Sequence, residues 1–219
     1  MNSPIIQLLV LAGIAVFLIL RLKSVLGTRD GFEKKPQPEA HRGDARQPAF
    51  EVIEGGPDRD ITDHAPEDGP AAKALAEMKR VEPDFSVGEF LGGARDAYEM
   101  ILMAFERGTM DEIRDFLAED VYESFNDVVT QREEQGLTID AEFVGVRELK
   151  IIQATFDDTT GLAEITVRFV GELTSVVRDS EGQIVEGKPS EIKRQKDIWT
   201  FARSLGTDDP NWQLVATGE

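Results

Sequence analysis

P-D-F-S-V-G-E-F-L-G-G-A-R-D-A-Y-E-M-I-L-M-A-F-E-R-G, residues 83–108, decides the fold. Val87, Phe90, Leu91, Ala94, Tyr98, Ile101, Leu102 and Phe105 recur three or four apart, which puts them on one face of a helix. Ser86 followed three residues later by Glu89 is a capping box, and Phe85 and Phe90 are placed to form a hydrophobic staple across it. Gly108 supplies a left-handed C-terminal cap. Such a helix needs its apolar face covered, so the question is what the rest of the chain offers to cover it.

Downstream, the same punctuation recurs twice. Thr109 precedes Glu112, with Met110, Ile113, Phe116 and Leu117 on one face; Asp120 precedes Glu123, with Val121, Phe125, Val128 and Val129 on another, and Gly136 ends that run. Three helices with tight corners are expected. The apolar period then falls to two. Val144–Phe156 alternates with a slip around Glu148-Leu149 that suggests a bulge, and Ile165–Val177 alternates cleanly after a turn at 157–161. A second turn at 179–182 leads to a strand over Glu191–Arg203, and Trp212–Ala216 reads as a last short strand. Helices followed by strands give an α+β domain over residues 83–219: three helices on a curved four-stranded antiparallel sheet, with Phe90, Leu91 and Tyr98 packed into its concave side.

Upstream, Pro4–Leu20 is apolar except for Gln7, close to the length that crosses a ~30 Å hydrocarbon core. A cleavable signal peptide needs positive charge before the run, and a core helix needs a domain around it; here Arg21 and Lys23 follow the run instead. A single transmembrane anchor over residues 4–22 is the favoured reading, with the basic end and the bulk of the chain in the cytoplasm. Residues 27–82 are rich in Pro, Gly and charge and read as a flexible acidic linker of roughly 40 Å reach. Within it, residues 71–81 have helix-forming composition.

The 219-residue chain has a formal charge of −18 and no cysteine. Disulfide and thiolate chemistry are thereby excluded, and acidity of this degree disfavours nucleic acid as a partner. His41 and His64 both fall in the expected linker, so a histidine general base in the domain is excluded. No metal cluster, P-loop or dinucleotide motif stands out, and no cofactor is expected. Gly92-Gly93 interrupts the helix at about 1 kcal/mol each, a cost for which close approach of the sheet backbone is the expected reason and a hinge the alternative. Asp197 lies two residues before Trp199, on the same side of its strand. It is either a buried acid or, preferably, an acid at the strand's exposed start paired with Arg168 or Arg203. Phe90, Tyr98, Phe105, Tyr122, Phe125, Trp199, Phe201 and Trp212 are core by default, and they are the residues expected to line any pocket left between helices and sheet.

F-S-x-x-E-F-L-x-G-A-R-x-A-Y at 85–98, V-Y-x-x-F at 121–125, D-x-W-T-F-A-R at 197–203 and N-W-x-L at 211–214 together resemble the Tim-forty-four-like domain family. The resemblance runs from about Val81 to Glu219, and with the N-terminal span the chain looks most like the bacterial TimA adaptor branch. It implies a cystatin-like or NTF-two-like cone and a non-enzymatic, membrane-anchored adaptor at the bacterial inner membrane. The implied partner is a protein such as a translocase, insertase or chaperone component. The long chaperone-binding segment of the mitochondrial relative is absent. From Asp84 onward 13 basic side chains face 29 acidic ones, a net of −16, so lipid or ribosomal RNA contact by the domain is not carried over. The alternative is a small apolar-ligand binder or an enzyme of the NTF-two-like type using the cone pocket, which requires an open cavity.

Overall fold

The structure, a computed structural model, describes residues 58–218. The expected span at Pro4–Leu20 and the linker up to residue 57 lie outside the described residues. The helices are α1 (Arg59–Thr62), α2 (Pro70–Val81), α3 (Val87–Arg107) and α4 (Glu119–Glu134), with a 3-10 helix at Met110–Phe116 between α3 and α4. The strands β1 (Thr138–Asp157), β2 (Leu162–Arg178), β3 (Ile184–Ser204) and β4 (Gln213–Gly218) form one antiparallel sheet in the order β1-β2-β3-β4.

The organising helix forms as its sequence dictates. Ser86 Oγ accepts the Glu89 N–H at 3.3 Å, the rings of Phe85 and Phe90 meet at 6.5 Å, and Gly108 closes the helix at φ 78°. Val87, Phe90, Leu91, Ala94, Tyr98, Ile101 and Leu102 are all buried. Their partners are the alternate residues of β2 that point the same way, Ile165, Val167 and Phe169, and Trp199 and Phe201 of β3. One helix face and one sheet face thus make one core.

The other two expected capping boxes do not form. Thr109 makes no side-chain cap, and the segment after it winds as a 3-10 helix that buries Met110 and Ile113 but leaves Phe116 exposed. Helix α4 begins at Glu119, ahead of Asp120, whose carboxylate instead accepts the Val121 N–H inside the first turn. The reason is tertiary: Leu117 forms a parallel bridge to Leu214 of β4, and the Ala118 N–H donates to the Leu214 carbonyl at 2.9 Å. The sheet pins the chain there and sets where α4 starts.

The strands are those expected, extended at their outer ends. The expected bulge near Glu148 is present, with Arg147 left out of the β1–β2 pairing, and Val144 and Ile152 are skipped likewise. Skipped residues bend and twist a strand, and both apolar ones are turned to solvent.

The expected linker needs correction over its described part. Residues 58–82 form α1 and α2 and bury Ile61, Ala65, Ala72, Ala74, Leu75 and Met78 in the same core. The packed unit therefore starts well before residue 83, and His64 lies inside it, half-buried in the α1–α2 turn. The helix expected at residues 71–81 is α2. What holds this segment is Asp60. Its carboxylate accepts the Val87 N–H at 2.7 Å and the Gly88 N–H at 2.8 Å, and pairs with Lys79 at 2.7 Å. The N-terminus of α3 is therefore capped from a distant part of the chain as well as by Ser86. Partial burial alone would raise the Asp60 pKa; the Lys79 ammonium and the Gly88 and Val87 N–H groups outweigh it and hold the carboxyl at about 2.

Replacing Asp60 by Ala is expected to cost about 1–2 kcal/mol at neutral pH, the value of a helix cap. The folded pKa lies below the unfolded value of 3.8, so this contribution is complete above that value and lost as pH falls toward about 2. Denaturation of the wild type and Asp60→Ala across that range should show their stabilities converging; a constant gap would refute the electrostatic cap.

Candidate functional site

The middle of the helix–sheet interface is built on Tyr98. Its ring lies flat on Phe169 at 4.4 Å with an interplanar angle of 4°, and it meets Trp199 at 4.8 Å and Phe143 at 6.2 Å. Its hydroxyl donates to Asp197 Oδ2 at 2.6 Å, and Gln195 Nε2 donates to the other oxygen at 3.0 Å. Asp197 is half-buried, so the acid sits at the edge of the interior with Tyr98 as its partner. Arg168 binds Glu148 and Arg203 binds Glu82. Burial first, then the hydrogen bond and charge of Asp197, push the Tyr98 phenol far above its usual range. A phenol that is 0% exposed, with its proton committed to a carboxylate, has none to give a substrate.

Gly171 of β2 makes this arrangement possible. A Cβ there would stand 2.6 Å from the Tyr98 hydroxyl oxygen and 2.9 Å from its ring. The close approach expected at Gly92-Gly93 is therefore found elsewhere. Both helix glycines face solvent, and a Cβ on either would meet nothing within 4 Å.

Of the eight aromatic residues expected to line a pocket, Phe90, Tyr98, Trp199, Phe201 and Trp212 join in one cluster, in which Phe201 meets Trp199 at 6.2 Å. Phe90 and Phe201 meet edge to face at 6.1 Å, and Phe90 meets Trp212 at 4.8 Å. Tyr98 and Trp199 belong to the stack just described. Phe105 and Phe125 pair at 5.1 Å where α3 faces α4. Tyr122 donates to Asp111 at 3.0 Å, beneath the Arg114 guanidinium. The two clearest depressions among the described residues are lined by none of the eight. The Tyr98 ring itself is in contact with Phe143, Phe169 and Trp199. Among the described residues no three acidic or imidazole side chains converge as a metal site requires, and no helix is long and apolar enough to cross a membrane.

Two polar sites escape sequence reasoning. Glu106, near the end of α3, is held above the usual carboxylate range by burial, opposed by the charges of Arg132 and Lys193 and by a hydrogen bond from Ser175 at 3.4 Å. Arg132 also donates to the Phe105 carbonyl at 2.9 Å, which satisfies a C-terminal carbonyl of α3. Arg203, nearly buried, ties Glu82 at the end of α2 to the Pro210 carbonyl and lies over Trp212 at 5.5 Å. A charge on a polar stretch carries no local signal that it will be buried, so only the fold reveals these pairs.

Comparison with known proteins places this architecture. A family model described as the Tim44-like domain matches residues 71–219. The mitochondrial import inner membrane translocase subunit TIM44 of Homo sapiens is 25% identical over 147 residues, which is 66% of this chain and 32% of that protein. The subunit of the same name from Mus musculus is 22% identical over the same shares. The matched stretch is thus about a third of each relative. A solved structure of the intermembrane space region of the chloroplast protein ARC6 matches 50% of this chain and 75% of that one at 11% identity and a TM-score of 0.33, too loose a likeness to bear on fold or function.

Tyr98→Phe removes a hydrogen bond to a carboxylate and is expected to cost about 2 kcal/mol, and Gly171→Ala about 1–3 kcal/mol from overpacking. The double substitution should cost less than the sum, because the phenylalanine ring lacks the oxygen that the new methyl meets first. Additive denaturation free energies would show that the Tyr98–Gly171 contact is not what links helix to sheet.

Proposed function

The chain belongs to the Tim44-like domain family, and on that premise we propose that it is a membrane-associated, non-enzymatic adaptor for protein translocation. The match over residues 71–219 carries this reading. The aromatic centre supports it, since Tyr98, Phe169 and Trp199 contact one another there. In the finer form of the proposal the domain is a cone of the cystatin-like or NTF-two-like type. Residues 4–22 anchor it in the bacterial inner membrane, with the domain in the cytoplasm. Residues 27–57, after the anchor, are the tether. Its partner is a protein, a component of a translocase, an insertase or a chaperone system.

Physically, such an adaptor raises the effective concentration of its partner beside the membrane and does no chemistry. The domain's own charge suits this division of labour. With 29 acidic and 13 basic side chains from Asp84 onward, it is repelled by anionic lipid headgroups, so membrane attachment falls to the apolar anchor.

Cell fractionation with crosslinking tests the proposal. The full chain should pellet with membranes and crosslink to translocation components, and removing residues 4–22 should release a folded domain to the soluble fraction. Persistent pelleting of the truncated chain would overturn the anchor. Crosslinks unchanged when residues 71–219 are deleted would overturn the adaptor.

A further inference from the structure

The cost of Gly92 and Gly93 is not repaid inside the molecule. Two glycines within an α-helix sacrifice about 1 kcal/mol each relative to alanine, yet neither touches anything that a methyl group would displace. Further along the outward side of α3 lies a groove of about 460 Å³ between α3 and the 3-10 helix. Its apolar part is Met100, Met103 and Ile113, and Met100 is 36% exposed. Its acidic side chains are Asp96, Glu99 and Glu112, against the single guanidinium of Arg107.

We propose that this groove seats an amphipathic helix with basic flanks, contributed by the protein that the adaptor recruits. The inference deepens the adaptor reading and rests on it for the statement that the ligand is a protein. Three properties select this occupant. The groove is apolar at its floor, and thioether side chains adapt to an incoming apolar face. Its excess of carboxylates complements lysine and arginine and would repel an acidic helix. The bare stretch at Gly92-Gly93 lets a second helix lie close to the α3 axis, since side chains at the contact set the distance between packed helices. From Gly92 to Arg107 the helix runs roughly 22 Å, enough for about four turns of a partner.

The test uses the full-length chain in uncharged detergent micelles and a fluorescent four-turn peptide with a leucine and alanine face flanked by lysine and arginine. A second peptide carries glutamate at every basic position. Fluorescence anisotropy should show binding of the basic peptide, weakening as salt is added, and none of the acidic one. Asp96→Lys with Glu99→Lys should reduce affinity roughly tenfold or more. The same reversal on α4, Glu123→Lys with Asp127→Lys, should leave it nearly unchanged. Gly92→Gln with Gly93→Gln should raise the melting temperature, because the helix gains propensity, while weakening the peptide. No binding, equal binding of both peptides, equal effects of the two charge reversals, or unchanged affinity in the glutamine variant would each overturn the proposal. No membrane is present, so failure here leaves the localisation experiment intact, and failure there leaves this result standing.

Discussion

The stacking of Tyr98 on Phe169, with its hydroxyl bound to Asp197 over a bare Gly171, is the contact on which the helix–sheet interface depends. It fixes three things at once. The parallel rings set how near α3 lies to β2. The hydrogen bond sets the position along the sheet at which they meet. The absence of a Cβ at Gly171 lets the phenol reach the far side of β2, where β3 supplies the acid. Burying a phenol is tolerable only when its hydroxyl has a partner, so aromatic packing and polar satisfaction both require the same placement.

Around that centre the domain is closed by contacts between segments remote in sequence. Asp60 reaches the N-terminus of α3, Arg203 reaches Glu82 and Trp212, and Leu117 joins β4 just before α4 begins. Each places a polar group where a regular element would otherwise expose unsatisfied backbone or leave a charge alone. Residues 58–82 thus belong to the folded unit despite a composition that reads as tether. Composition measures how much apolar surface a segment has on average. It does not register four or five apolar residues on one side of a short helix that meet an existing core.

The centre of the interface is aromatic and the chain is strongly acidic. Chemistry needs a reactive group within reach of a substrate, and the central phenol is neither exposed nor free to give up its proton. Recognition needs only a surface. The face of α3 turned away from the sheet carries Gly92 and Gly93, where a Cβ would meet nothing, and further along Asp96, Glu99 and Met100.

By itself, the sequence determined the elements whose signals are local. The Ser86 cap, the Phe85–Phe90 staple and the Gly108 stop sit within a turn or two of the backbone groups they serve, so α3 was readable residue by residue. The strands were readable because alternation is a property of consecutive residues. Only the tertiary structure decided which glycine allows the close approach, which residue pairs with Asp197, where α4 begins and how far upstream the domain extends. In each case the deciding partner lies far away in the chain: Gly171 and Asp197 for Tyr98, Leu214 for Ala118, Val87 and Gly88 for Asp60. A local pattern records what a residue prefers. The free energy of a buried hydrogen bond or a close ring contact exists only once folding has brought both partners together.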